Sequence, residues 1–265
     1  MTLGLSRLVV LLAGLWLGTA PAAQAGSFSD WAAVVVAGDW RAHNGGPTET
    51  FDNARRDVAQ TLERAGFQRE NLRQFSVRPE RYRDSRPEKS DLAAIFASMS
   101  DLTARATGGC LVYLTSHGDP SGVLVDTRVL PPGVLAAMVD RTCGQRPTVV
   151  VISACFSGVF VPALAAPNRM VLTAARRDRS SFGCGEADKY PYFDDCFLQS
   201  APQARDFAGL GRAVQACVAE REQKEGMKPP SEPQLWVGAA LRPLLPLYAF
   251  TPTPSAPART LATSP

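Results

Sequence analysis

The chain has 265 residues, 45% of them hydrophobic, and its 28 Lys and Arg against 25 Asp and Glu give a formal net charge of +3. This near-neutral balance, with no basic run interleaved with aromatic residues, argues against nucleic acid or a membrane surface as an electrostatic partner. The length suits one large domain.

The N-terminus carries the pattern of a secretory signal peptide. Arg7 precedes an apolar run from Leu8 to about Leu17, and small residues follow, ending in Ala25. This pattern predicts that residues 1–25 are removed before Gly26 and that the protein is exported to a periplasmic or extracellular space. The apolar run is too short to span a bilayer, no cysteine follows it to accept a lipid, and no other segment resembles a membrane span.

The first half of the chain alternates between strand and helix patterns. "WAAVVVAG" (31–38) is a continuous apolar run, typical of a parallel strand buried on both faces. Residues 51–65 repeat apolar positions at helical spacing before Gly66. "NLRQFSV" is a weaker strand, a polar loop covers 78–89, and a helix begins near Ser90.

The second half continues the alternation. "GCLVYLTSHG" and "PTVVVISACFSG" are apolar strands with the helix "PPGVLAAMVDRTC" between them. A strand at 170–174, a helix from about 206 to 224 and the strand "PQLWVG" follow. The order predicts a mostly parallel sheet of about six strands with helices on both faces, formed by residues 26–240. Residues 241–265 are rich in proline, serine and threonine and predict a disordered tail.

Six cysteines in an exported chain usually indicate three disulfides. No pair has CxxC spacing and the chain holds only two histidines, so neither a redox motif nor a zinc site is expected. If one cysteine stays reduced for chemistry, two bridges are the maximum. Cys184 and Cys196 flank a polar loop and are one candidate pair; the sequence does not pair the others.

Two strands end in residues that carry chemistry. "LVYLTS" runs into His117 and Gly118, and "TVVVIS" runs into Ala154 and Cys155. Ligands of parallel sheets bind beyond the carboxyl ends of the strands, so neighbouring strands would present the imidazole and the thiol to one crevice. A cysteine nucleophile needs such a histidine, and N–H donors for the oxyanion.

Each residue also has a plain structural interpretation. A cysteine after an apolar strand is most often a buried small hydrophobe, and a lone histidine there is usually a solvated turn residue. Their joint occurrence, each followed closely by glycine, favours chemistry. The other histidine, His43, lies in the polar loop "WRAHNGGPTET" and is interpreted as an exposed loop residue rather than a substrate contact.

"LVYLTSHGDPSGVL" and "VVVISACFSG" resemble the two catalytic stretches of the legumain-like cysteine peptidases, the peptidase C13 family of the caspase-like clan. "VVVAGDW" and "MVLTAARRDRSSFGC" also resemble family segments, so the likeness runs from about Ala32 to Cys184. The resemblance implies an α/β fold of the caspase type, a three-layer sandwich.

The resemblance also implies the chemistry. Cys155 would attack a peptide carbonyl, His117 would act as general acid and base, and the backbone amides of Gly118 and Cys155 would hold the oxyanion. The family requires no third orienting side chain and no cofactor, and its substrates are proteins or peptides.

The chain departs from the family where specificity is set. Legumains that cut after asparagine carry an Arg-His pair early in the first helix and an acidic residue two before the cysteine, and neither is present here. "RDRSS" resembles the segment lining the first specificity pocket. The candidate substrate-binding residues are Asp52, Asn53, Ser153, Ser180 or Ser181, and Asp194 or Asp195 as the acid. A pocket with acids and no arginine favours a basic or neutral residue before the cleaved bond.

Two other functions fit the same residues. An acyl-enzyme is resolved by an amine as readily as by water, so a transpeptidase or transamidase of the same fold is the runner-up among enzymes. A catalytically inactive secreted binding module is the alternative from another class. The pattern says nothing of the oligomeric state.

Overall fold

The computed structural model describes residues 27–250; the predicted signal peptide and residues 251–265 lie outside this range. The strands are β1 (Trp31–Ala37), β2 (Leu72–Ser76), β3 (Glu88–Lys89), β4 (Gly109–Thr115), β5 (Gly118–Asp119), β6 (Gly122–Val125), β7 (Arg128–Leu130), β8 (Thr148–Ser153), β9 (Arg169–Thr173) and β10 (Gln234–Val237). The helices are α1 (Thr50–Ala65), α2 (Leu92–Arg105), α3 (Pro132–Cys143), α4 (Val161–Leu164), α5 (Tyr192–Ser200) and α6 (Phe207–Glu225).

The main sheet has seven strands in the order β10-β9-β8-β4-β1-β2-β3. All neighbours are parallel except β10, which runs antiparallel to β9. Every residue of β1, β4, β8 and β9 is buried, as the continuous apolar runs predict for strands covered on both faces. The predicted sheet is confirmed with one more strand than expected, because the two residues of β3 pair with the end of β2.

Two hydrophobic cores lie on opposite faces of this sheet. One packs α1, α5 and α6 against alternate residues of the central strands, and the other packs α2 and α3 against the residues between them. Such alternation follows from the two-residue period of a strand. The three layers are therefore helices, sheet and helices, as expected.

Two features were not predicted. β5, β6 and β7 form a small antiparallel sheet directly after His117, where the sequence indicates a short loop. Helix α5 was also missed, since it has only nine residues and follows a polar segment that ends in Pro191. The small sheet follows the carboxyl end of β4, and Asp194 of α5 contacts side chains at the carboxyl ends of β4 and β8.

Two disulfides join neighbouring elements. Cys110–Cys143 ties the start of β4 to the end of α3, and Cys196–Cys217 ties α5 to α6. Each closes a loop of 33 or 21 residues and stabilises the fold by about 3–4 kcal/mol on the loop-entropy model. The candidate pair Cys184–Cys196 is wrong, because the packing of α5 on α6 brings Cys217 to Cys196. Cys155 and Cys184 are free thiols.

The folded region extends beyond Ala240, the predicted end of the domain. Leu241 and Leu245 are buried in the core under α6, and the ring of Phe250 lies 4.9 Å from that of Phe207. Residues 241–250 therefore belong to the domain instead of the predicted tail. Between residues 27 and 250, no helix is long and apolar enough to cross a membrane.

Candidate active site

The ladder between β4 and β8 brings His117 and Cys155 to the same level. Thr115 is the register partner of Ser153, and the Ser116 amide donates to the Ser153 carbonyl at 3.0 Å, one step further. His117 and Cys155 each follow two residues after this last pair. The register therefore brings His117 and Cys155 to the same edge of the sheet, just beyond the carboxyl ends of two neighbouring parallel strands.

A backbone carbonyl orients the imidazole of His117. Its Nε2 lies 2.8 Å from the Arg41 carbonyl oxygen, and its ring packs edge-on against Phe51 with centroids 5.0 Å apart. A carbonyl only accepts hydrogen bonds, so Nε2 carries the proton. Nδ1 is left to accept or release a proton, which is the tautomer that general acid–base chemistry at this ring requires.

The loop that carries this carbonyl is fixed by Asp39, one residue past the glycine that ends the β1 segment. Asp39 is 2% exposed, and its Oδ1 accepts from the amides of Trp40 and Arg41 at 2.7 and 3.2 Å and from Arg41 Nε at 3.1 Å. The sequence patterns did not indicate a role for Asp39 or Arg41. Asp39 could have been found as an acidic residue that follows a third parallel strand. Arg41 could not, because it contacts His117 through its backbone carbonyl, which the residue type does not reveal.

Cys155 rests against the segment after β9. The Ser181 amide donates to Cys155 Sγ at 3.3 Å, and the carbonyl and hydroxyl oxygens of Ser181 each lie 3.6 Å from the sulfur. These contacts hold the sulfur against the backbone of residue 181. Ser180, next to it, is exposed. Of the two serines in the predicted pocket segment, Ser181 contacts Cys155 directly and Ser180 is its exposed neighbour in the chain.

The backbone around Cys155 is tightly shaped. Phe156 has a left-handed φ of 57°, and its amide donates to the Arg179 carbonyl at 2.8 Å. Within residues 27–250 the Cys155 amide has no acceptor. A Cβ at Gly118 would lie 2.4 Å from the Cys155 carbonyl oxygen, so only glycine allows the two strand ends to approach this closely.

Asp194 lies directly beneath the two strand ends. Its fully buried carboxylate accepts from Tyr113, from Thr115 Oγ1 at 2.7 Å and from Ser153 Oγ at 2.8 Å. Burial raises the pKa of Asp194 to about 6, although the three hydroxyl donors oppose the shift. Ser153, a predicted substrate contact, is 1% exposed and directs its hydroxyl to this carboxylate.

The acidic candidates Asp52 and Asp195 have other partners. Asp52 is 2% exposed and accepts from Arg55 Nε at 2.8 Å and Ser76 Oγ at 3.0 Å. Burial raises the pKa of Asp52, against the opposing charge of Arg55. Asp195 accepts from Arg221 of α6 at 2.7 Å. The structure therefore leaves neither carboxylate unpaired.

Helix α1 and the loop before it contact the segment that precedes α5. Asn53 Nδ2 donates to the Lys189 carbonyl at 3.2 Å, and the amide of the exposed His43 donates to the Cys184 carbonyl at 3.2 Å. Cys184 is half-buried, and burial together with the nearby charge of Cys155 raises its pKa to about 11. The described residues contain no cluster of His, Cys, Asp and Glu that could hold a metal ion.

Comparisons with known proteins agree with this geometry. A sequence model of the peptidase C13 family matches residues 88–223, just over half of the chain, including His117 and Cys155. The crystal structure of caspase-1 from Spodoptera frugiperda matches with a TM-score of 0.59 and 14% identity, over 87% of this chain and 94% of that chain. At this identity the likeness shows the caspase-like fold alone. No curated protein sequence matches the chain.

The two free thiols should differ in reactivity. At pH 7.5 a pKa of about 11 leaves less than about 0.1% of Cys184 as thiolate, the form that iodoacetamide modifies. We expect limiting iodoacetamide to modify Cys155 before Cys184, as read by peptide mass spectrometry on the unreduced protein. Cys155→Ala and Cys184→Ala assign the two signals, and faster labelling of Cys184 would contradict the assignment.

Proposed function

Because the chain belongs to the peptidase C13 family, we propose that it is a cysteine peptidase in which Cys155 is the nucleophile and His117 the general acid and base. The observation that carries this proposal is the register of β4 and β8, whose ends are occupied by these two residues. The contact of His117 Nε2 with the Arg41 carbonyl supports it, since that contact selects the tautomer that the reaction needs.

In the first half of the reaction His117 Nδ1 takes the thiol proton of Cys155, and the resulting thiolate attacks the carbonyl carbon of the scissile peptide bond. The carbonyl oxygen becomes an oxyanion, for which the amides of Gly118 and Cys155 are the proposed donors; one such donor is typically worth about 10²–10³ in rate. The C–N bond then breaks as His117 Nδ1 gives a proton to the leaving amine. The product is a thioester on Cys155 and a free amine.

In the second half water resolves the thioester. His117 Nδ1 takes a proton from the water molecule, whose oxygen attacks the thioester carbonyl, and the C–S bond breaks to release the acid and restore Cys155. An amine in place of water would give transfer instead of hydrolysis. Adding a peptide with a free N-terminus to the assay distinguishes the two, because only a transpeptidase yields a joined product by mass spectrometry.

For specificity we propose a pocket bordered by Ser180 and Ser181 and without arginine. In the helix where asparagine-cutting legumains carry their Arg-His pair, Arg55 is fully buried, and its Nε donates to Asp52. The hydroxyl of Ser153 is turned to Asp194. These partners support a pocket different from the one that selects asparagine.

The dyad is tested by substitutions for which the chain supplies its own controls. We expect Cys155→Ala and His117→Ala to reduce kcat/KM on a fluorogenic peptide by at least about 10³-fold, because both steps need these groups. The matched controls Cys184→Ala and His43→Ala should stay within a few-fold of wild type. Circular dichroism confirms folding. Near-normal turnover by either dyad variant would disprove the assignment.

The specificity proposal predicts cleavage after a basic or neutral residue other than asparagine. A positional-scanning peptide library, with Cys155→Ala as the blank, measures the preference directly. We expect asparagine to rank below the best residues, because the pocket lacks the Arg-His pair and the acid two before the cysteine. Fastest cleavage after asparagine would contradict this proposal and leave the dyad intact.

We further propose export, with residues 1–25 removed. The two disulfides of the folded domain support this, since such bonds persist in oxidising compartments. Expression of the full chain in a bacterial host with a secretory pathway should give a mature protein whose N-terminal sequence begins at Gly26. A cytoplasmic product that still carries the first 25 residues would contradict export.

A further inference from the structure

Asp194 is a buried acid that the proposed reaction does not use. It lies on α5, has no exposed surface, and is the third residue of a nine-residue helix that the polar sequence around it hardly indicates. No positively charged side chain between residues 27 and 250 forms an ion pair with it. Burying an unpaired carboxyl group is costly, so its hydrogen bonds must compensate.

Those hydrogen bonds come from two different strands. Tyr113 and Thr115 of β4 and Ser153 of β8 all donate their hydroxyl protons to the one carboxylate. Thr115 and Ser153 are register partners, the last pair of the ladder before the strands end. One side chain from a helix therefore bridges β4 and β8 across that last pair.

The bridge lies two residues before each reactive group. From Thr115 to His117, and from Ser153 to Cys155, the chain advances by about 7 Å when extended. A small shift of one strand against the other at the carboxylate would therefore change the distance between imidazole and thiol. Errors of about 1 Å in such a distance can cost about 10²-fold in rate.

An acid of the specificity pocket would be arranged differently. It would present at least one oxygen to the substrate, whereas both oxygens of Asp194 accept hydrogen bonds from buried hydroxyls. Asp194 also has no exposed surface, so a substrate side chain would reach it only if the packing around it opened.

We propose that Asp194 is a positioning residue: its carboxylate clamps the carboxyl ends of β4 and β8 together and so sets the geometry of His117 and Cys155, without contacting the substrate. This inference rests on the proposed function, because its main readout is turnover. The clamp is defined as Asp194 with the hydroxyl groups of Tyr113, Thr115 and Ser153.

The test compares Asp194→Asn with wild type. We expect kcat to fall about 10- to 100-fold while KM stays within about twofold and the library ranking stays unchanged, since only the geometry of the dyad is disturbed. Glu222→Gln is the matched control, because Glu222 of α6 is another buried acid, 2% exposed, whose carboxylate accepts from the Ser231 amide and not from the hydroxyl groups of β4 or β8. It should keep both constants.

A second readout does not need turnover. The rate of Cys155 alkylation as a function of pH reports the surroundings of the thiol, and we expect Asp194→Asn to shift this profile and Glu222→Gln to leave it in place. If wild type has no peptidase activity, the proposed function fails, yet the alkylation profile still decides whether Asp194 sets the geometry of the site.

Variants that remove the donor hydroxyl groups test the clamp even if Asp194→Asn does not fold. Thr115→Val and Ser153→Ala each delete one donor and should each lower kcat about three- to tenfold. Where Asp194→Asn does fold, adding Thr115→Val to it should lower kcat no further. A changed residue preference in Asp194→Asn would show that Asp194 is an acid of the specificity pocket instead. A kcat and an alkylation profile equal to those of wild type would overturn the clamp.

Discussion

The hydrogen-bond ladder between β4 and β8 determines where His117 and Cys155, the two proposed reactive residues, lie. Parallel strands start at one edge of a sheet and end at the other, so in-register pairing of Thr115 with Ser153 carries the residues that follow to a common level. His117 and Cys155 come from segments 38 residues apart in sequence, and only this register makes them neighbours. A shift of this pairing by one residue would also turn the side chains of a strand to the opposite faces of the sheet. Both faces of β4 and β8 are buried, so the packing on both sides would change.

Three features of the backbone shape the site at the ends of β4 and β8. The Asp39 turn at the end of β1 aims the Arg41 carbonyl at His117. Gly118 lets the β4 end pass close to the Cys155 carbonyl, and the left-handed turn at Phe156 redirects the chain after the nucleophile. A left-handed non-glycine residue costs about 1 kcal/mol or more, which the bond from its amide to Arg179 helps to offset.

The sequence predicts the sheet and the proposed Cys–His pair because both depend on residue types that form recognisable patterns. Continuous apolar runs indicate buried parallel strands, and His117 and Cys155 interrupt two of them at the ends. The partners of these residues are less visible. Arg41 contacts His117 through its backbone carbonyl, and Ser181 contacts Cys155 through its backbone amide. Such backbone groups do not distinguish one residue type from another in the sequence. Cys196 pairs with Cys217 because α5 packs on α6, a tertiary contact that spacing does not encode. Asp194 resembles a pocket acid in sequence, and only its burial distinguishes the two roles.

The departures from asparagine-cutting legumains are linked by electrostatics. An acid two residues before the nucleophile would stand where Ser153 donates to Asp194, and two carboxylates at hydrogen-bond distance repel each other and raise one pKa strongly. Ser153 avoids this conflict because a hydroxyl group stabilises the carboxylate. Three hydroxyl groups already stabilise Asp194, and Arg55 at the start of α1 is paired with Asp52 instead. Ser153 and Asp194 therefore form one arrangement, because the hydroxyl group at residue 153 stabilises the carboxylate that an acid at the same position would repel.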